Sequence, residues 1–264
     1  MNNDLKQKYL NVISDNINVG DSNLFGEIII LITGMAMFCF AIFLFANKIS
    51  EFIVSKIPDK TQIKIEKALP KPFLPTKEIP SEKIVFLNNI KHEIISFDKK
   101  LQNKSNFEIY EVPQEEVNAF VTTNGTIYFT EGLLNKVDDE KTLVFVLAHE
   151  MGHYAHRDHL KSISKSLIVA MLQTLITSGQ EELSTICNSL TSVEELNYSR
   201  NQEKQADIYA TKVIYKLYGN LDGAENFFNI LESEKEVPEL FKYFSTHPSI
   251  NDRLELIKSI KRKL

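Results

Sequence analysis

The stretch Leu147–His159 reads LAHEMGHYAHRDH, with four histidines, one glutamate and one aspartate in thirteen residues. It closes an apolar run in which Leu143, Val144, Leu147 and Met151 recur at the spacing of one helical face. Residues four apart on a helix lie one turn above each other. His149 and His153 therefore share a side, and Glu150 is offset toward the open side. This HExxH pattern is the two-histidine half of a zinc site, with the glutamate placed to take a proton from water.

A catalytic zinc of this kind needs a third protein ligand and an open position. His159, six residues past His153, has the spacing of the HExxHxxGxxH pattern, but His156 stands where the turning glycine belongs. A continuing helix would carry His159 about 600° around from His153, off the shared face. The other candidate is distant, in YSRNQEKQADIYA (Tyr198–Ala210). Glu203 and Asp207 sit four apart there, so one can ligate while the other holds the outer nitrogen of a ligand histidine. Spacing alone leaves open a plain solvated face, with Arg200 and Lys204 pairing with the acids.

The rest of the chain sets the context. Ile28–Ala46, IIILITGMAMFCFAIFLFA, is an uncharged run of 19 residues. As a helix it measures about 28 Å, close to the roughly 30 Å hydrocarbon core of a bilayer, and predicts one retained transmembrane anchor. It starts late and is long for a signal peptide, and no small-residue cleavage site follows it. Lys48, Lys56, Lys60 and Lys64 follow the run and only Lys8 lies in comparable reach before it, which leans the C-terminal domain to the cytoplasmic side. The expected localisation is a single-pass cell-membrane protein of bacterial inner-membrane type.

Domain organisation follows. Residues 1–27 form a polar N-terminal segment, 28–46 the membrane helix, 47–80 a linker and 81–264 the catalytic domain. LPKPFLPTKEIP (Leu69–Pro80) carries four prolines in twelve residues and cannot be a helix interior. Ile84, Leu87, Ile90, Ile94 and Phe97 then predict a helix. FEIYEV (Phe107–Val112) predicts a strand, and NAFVTTNGTIYFT (Asn118–Thr130) a tight hairpin about Asn124-Gly125. A short turn is expected at Leu133–Val137. Asp138 or Asp139 caps a helix running from Glu140 through Arg157. SLIVAMLQTLI (Ser166–Ile176) is too short to span a bilayer and reads as a core or interfacial helix. Further helices are expected over Ser192–Tyr218 and from Ser249. The net charge of −5 speaks against a nucleic-acid surface, 43% apolar residues suffice for a core, and two cysteines make no disulfide framework.

LAHEMGHYAHRD followed some fifty residues on by YSRNQEKQADIYA resembles metallopeptidase family 48, the group of CAAX prenyl endopeptidases and HtpX-, Oma- and BepA-type peptidases. VNAFVTTNGTIYFTEGLL (Val117–Leu134), the apolar lead into HExxH and STHPSINDR (Ser245–Arg253) agree with it, and the likeness covers residues 81–262. With a single anchor, the chain looks more like the BepA and Oma branch than the multi-span ones. The resemblance implies a predominantly helical α+β, zincin-like domain with a small β-sheet, preceded by one transmembrane helix. It implies one Zn²⁺ held by His149, His153 and Glu203, Glu150 as general base and Asp207 behind the ligands. His247 matches the family's HP histidine, which either stabilises the oxyanion or fills the open coordination position. Arg253 contacts substrate, orders its loop or makes a surface ion pair, and Asn118 opens a segment beside which an extended peptide can pair. His92, His156 and His159 have no role in the motifs. The function so implied is a membrane-anchored zinc endopeptidase acting on polypeptides, misfolded or membrane-associated ones first. The alternative is a non-proteolytic, zinc-stabilised membrane chaperone or assembly factor. Oligomeric state stays open.

Overall fold

The computed structural model describes residues 4–7, 24–68, 76–102, 107–177, 198–233, 247 and 250–264. The elements in chain order are α1 (Leu24–Ser55), α2 (Asp59–Ala68), α3 (Glu82–Phe97), α4 (Lys99–Gln102), β1 (Ile109–Val112), β2 (Ala119–Val121), β3 (Ile127–Thr130), α5 (Glu131–Lys136), α6 (Glu140–Ala155), α7 (Asp158–Thr177), α8 (Arg200–Tyr218), α9 (Asp222–Ser233) and α10 (Ile250–Lys261). The fold is predominantly helical with one small mixed sheet. It divides into two compact units, Met1–Ala46 and Asn47–Leu264.

Helix α1 contains the uncharged run and extends beyond it at both ends. Its most apolar 18-residue window has a mean hydropathy of 2.8 and is wholly unburied, so it is long and apolar enough to cross a membrane. Of the proline-rich stretch, residues 69–75 lie outside the described residues. Ahead of them α2 is helical, with Gln62 and Glu66 buried in the second unit.

The sheet has the order β1-β3-β2, with β1 parallel and β2 antiparallel to β3. The hairpin falls where Asn124-Gly125 predicts it, but its loop is one residue longer than a tight two-residue turn. Thr122 N–H donates to Thr126 O at 2.8 Å and Gly125 N–H to Thr122 O at 3.0 Å. A two-residue type I′ turn needs positive φ at both central positions. Here only Gly125 has it, at 87°, so the chain makes a three-residue loop closed by a left-handed glycine.

Helix α6 is the spine of the second unit, buried without a break from Thr142 to Ala155. Asp139 caps its start by accepting from Thr142 N–H at 2.9 Å and from Thr142 Oγ1 at 2.6 Å. It packs against α8, α9, α3 and β2. The approach to α8 is close because Gly152 lacks a side chain there: a Cβ would lie 3.2 Å from Tyr209 Cβ and 3.3 Å from Ala206 Cα. That approach sets the HExxH face directly against Glu203 and Asp207.

The helix ends two residues earlier than its sequence suggests. Arg157 takes the left-handed conformation with φ of 59°, and α7 begins at Asp158. A non-glycine residue in this region carries a backbone cost of about 1–2 kcal/mol, which the surroundings must hold. The Arg157 guanidinium donates to Ile57 O at 2.7 Å and to Val54 O at 3.3 Å, and it pairs with Asp59. Leu160, Ile163, Ala170 and Leu172 of α7 are buried while Met171 is 65% exposed. Helix α8 opens on a capping box of Ser199 and Gln202 and stops at left-handed Gly219. Of the helix expected over Ser192–Tyr218, residues 192–197 lie outside the described residues.

Candidate metal centre

Helix α6 contributes His149, Glu150 and His153, α8 contributes Glu203 and Asp207, and His247 enters just before α10. His149, His153, Glu203 and His247 are all buried, with one donor atom each lying within 4.8 Å of the others. His149 Nε2 lies 3.1 Å from His153 Nε2 and 3.4 Å from His247 Nδ1. Glu203 Oε1 lies 3.1 Å from His247 Nδ1 and 3.3 Å from His153 Nε2, and Glu203 Oε2 lies 3.6 Å from His149 Nε2. A tetrahedron with metal–ligand bonds of about 2.0–2.1 Å has edges of about 3.3 Å. The four separations among His149 Nε2, His153 Nε2, His247 Nδ1 and Glu203 Oε1 bracket that value, so these donors fit one small metal ion.

Each α6 histidine has a carboxylate at its outer nitrogen. Asp207 Oδ1 lies 3.0 Å from His149 Nδ1, and Asp158 Oδ2 lies 3.0 Å from His153 Nδ1. A carboxylate at that nitrogen favours the tautomer that leaves Nε2 toward the cluster. Tyr198 lies flat on the His153 ring, centroids 3.8 Å apart and planes within 10°. Neither Asp158 nor Tyr198 is foreseen in the sequence. Asp158 is delivered by the left-handed turn at Arg157, for which no glycine gives a signal; Tyr198 opens the YSRNQEKQADIYA segment without any motif role.

Arg253, expected at the substrate or as a loop tie, is 2% exposed and faces the site from behind. Its Nη1 lies 2.7 Å from Glu203 Oε2, and its Nε and Nη2 donate to Asp207 at 2.7 and 2.8 Å. This two-pronged contact ties ligand and supporting carboxylate together. Asn118 is buried at the start of β2, its backbone N–H donating to Thr130 Oγ1 at 2.9 Å and its O accepting from Thr130 N–H at 3.0 Å. His159 is absent from the cluster: its Nε2 lies 3.2 Å from Glu66 Oε1 and its ring stacks on Tyr154. His92 is exposed and His156 half-buried.

Charge in the site is finely divided. Burial lowers His149 to about 4, helped by Arg253 and outweighing Asp207, so this ring is neutral. Burial also opposes charge on His153, but Asp158 and Glu203 overcome it and hold this imidazole up to about 10. Glu203 stays ionised well below the usual carboxylate range, since Arg253 and the histidines outweigh its burial. Burial pushes Glu150 upward. Its Oε2 accepts from Val121 N–H at 3.0 Å, while Oε1 has no hydrogen-bond partner among the described residues and lies 3.8 Å from His247 Nε2. One oxygen is thus fixed on the edge strand and the other faces His247.

Two buried histidines of an HExxH helix facing a carboxylate from a second helix are the donor pattern of a metallopeptidase centre. The sequence profile of peptidase family M48 matches residues 87–261, and the chain belongs to that family. It is 28% identical over 190 residues to the mitochondrial metalloendopeptidase OMA1 of Bos taurus, covering 65% of this chain and 36% of that protein. It is 25% identical over 185 residues to the putative beta-barrel assembly-enhancing protease of Vibrio cholerae, covering 64% and 37%. A protease HtpX homolog of Sulfurovum is 25% identical over 191 residues, covering 58% of this chain and 69% of that protein. The chain thus spans little more than a third of the length of the first two relatives.

Proposed function

We propose that this chain is a membrane-anchored, zinc-dependent endopeptidase that cuts misfolded or membrane-associated polypeptides. The observation that carries the reading is the pairing of a four-donor cluster with Glu150, a buried base whose Oε1 has no hydrogen-bond partner among the described residues. His149, His153 and Glu203 would hold the ion, with two nitrogens and one oxygen in the donor set that suits zinc. Bound zinc supplies a Lewis acid for the scissile carbonyl and lowers the pKa of attacking water. Asp207 and Asp158 orient the rings, and Arg253 keeps Glu203 ionised. Val121 N–H aims Glu150, whose Oε1 takes the proton of the water and returns it to the leaving amine. The raised affinity of a buried carboxylate for a proton suits both transfers.

His247 is the proposed occupant of the fourth position, because its Nδ1 lies within the same tetrahedral spacing as the three ligands. With it in place no position is left for water, and its withdrawal opens the site. The helix Leu24–Ser55 supports a single-pass anchor, and the lysines after the apolar run support a cytoplasmic catalytic domain. Residues 81–264 are proposed as the peptidase domain proper.

Casein incubated with the zinc-loaded and the chelated full-length protein tests the reading, with His247→Ala assayed beside the wild type. Zinc-dependent cleavage that rises in His247→Ala is expected. Binding of casein without cleavage, in both proteins, would contradict it and favour a chaperone.

A further inference from the structure

Glu66 lies in the charge-rich α2, yet it is 6% exposed and its carboxylate reaches two residues beside the metal centre. Its Oε2 accepts from Tyr154 Oη at 2.9 Å, and its Oε1 lies 3.2 Å from His159 Nε2. Gln62, one turn earlier and fully buried, donates to Oε1 at 2.5 Å. Tyr154 directly follows the ligand His153, and His159 directly follows Asp158, the carboxylate on the outer nitrogen of His153. One buried carboxylate therefore grips the residue next to each member of that pair.

Two more contacts close on the same turn. Arg157, left-handed between Ala155 and Asp158, is held by the carbonyls of Val54 and Ile57 and by Asp59. Ser50 donates to Lys161 O, and Lys161 Nζ donates to the other Asp158 oxygen at 2.8 Å. On the inner side Gln202, the neighbour of Glu203, reaches Asp158 O at 3.4 Å. The segment running on from the apolar helix is thus wrapped around the one turn that delivers Asp158 to His153.

We propose that residues Ser50–Glu66 are a positioning clamp for the metal centre: Glu66 and Arg157 hold the α6–α7 turn so that Asp158 sets the His153 imidazole. The inference rests on the metal-centre reading above. Glu66 touches no ligand itself and acts through Tyr154, His159 and the turn. The membrane-proximal segment is in this account part of the catalytic apparatus, and metal affinity depends on its seating.

The test uses the full-length chain in detergent, with Co²⁺ alone as the probe. Co²⁺ affinity by chelator competition and the visible spectrum of the loaded protein are read for Glu66→Ala, Glu66→Gln, Tyr154→Phe, Arg157→Ala and His153→Ala, with thermal melting recorded for each. Glu66→Ala and Arg157→Ala are expected to weaken Co²⁺ binding about 10-fold, the lower end of what outer-shell changes cost, and to alter the visible bands. Glu66→Gln, which keeps an acceptor for Tyr154, restores most of the affinity. Tyr154→Phe removes one hydroxyl without unseating the helix, so it reports should Glu66→Ala fail to fold, and it is expected to alter the same bands. Lower melting temperatures with wild-type affinity and spectra in all clamp variants, while His153→Ala loses Co²⁺, would overturn the clamp alone. Wild-type Co²⁺ binding in His153→Ala would overturn the metal-centre reading and the clamp with it.

Discussion

Asp158 Oδ2 lies 3.0 Å from His153 Nδ1, across a helix end that no glycine or proline marks. The left-handed Arg157 turns the chain back so that the first residue of the next helix meets the His153 ring on the last turn of the previous one. Asp158→Ala should therefore weaken metal binding about 10–100-fold, as loss of an outer partner does. Competition against a chelator measures it; unchanged affinity would place the carboxylate outside the metal site.

Metal uptake should release a proton. Before an ion binds, Asp158 and Glu203 outweigh burial and hold His153 up to about 10, whereas burial lowers His149 to about 4. A metal needs both rings neutral. The raised group loses its proton on binding, so affinity climbs as pH rises across the neutral range and falls toward acid. Calorimetry in buffers of different ionisation enthalpy should find about one proton released per ion at neutral pH. No proton release would mean that His153 is neutral beforehand or does not bind.

Gly152 is the point where α6 meets α8. In Gly152→Ala the helix gains about 1 kcal/mol of intrinsic propensity. Against this, the new Cβ would press on the backbone of Ala206 at 3.3 Å, and overpacking of this kind costs about 1–3 kcal/mol. A net loss of stability is expected by denaturant titration, together with weaker metal binding as His149 and His153 separate from Glu203. A stabilised variant with unchanged metal affinity would show that α8 can shift freely.

Much of this was readable from residue order. HExxH on an apolar helical face, the Asp139 cap, and the β2–β3 hairpin all depend on near neighbours. So does the uncharged 28–46 run. Glu203 is different: its spacing to Asp207 is compatible with a solvated face, and only the resemblance to family 48 singled it out. Asp158 was hidden because its position depends on an arginine in a conformation that sequence assigns to glycine. Glu66 was hidden because DKTQIKIEKA looks solvated, and burial of its carboxylate follows from partners 88 and 93 residues away. Helix α9 is not among the expected elements, although Ala224, Phe227, Phe228 and Leu231 have helical spacing; these are its buried face against α6. Arg253 reads as a surface or substrate residue until α10 turns it inward onto Glu203 and Asp207.

In the proposed mechanism Glu150 moves the proton while His149, His153 and Glu203 hold the ion. The most direct measurement is metal content and peptide cleavage in full-length Glu150→Gln, beside the wild type. The glutamine keeps an acceptor for Val121 N–H at the oxygen position but cannot take a proton. One zinc per chain is expected, with a fall in cleavage of about 10²–10⁴-fold, the usual contribution of a general acid–base group. Near-wild-type turnover in the zinc-replete variant would contradict it.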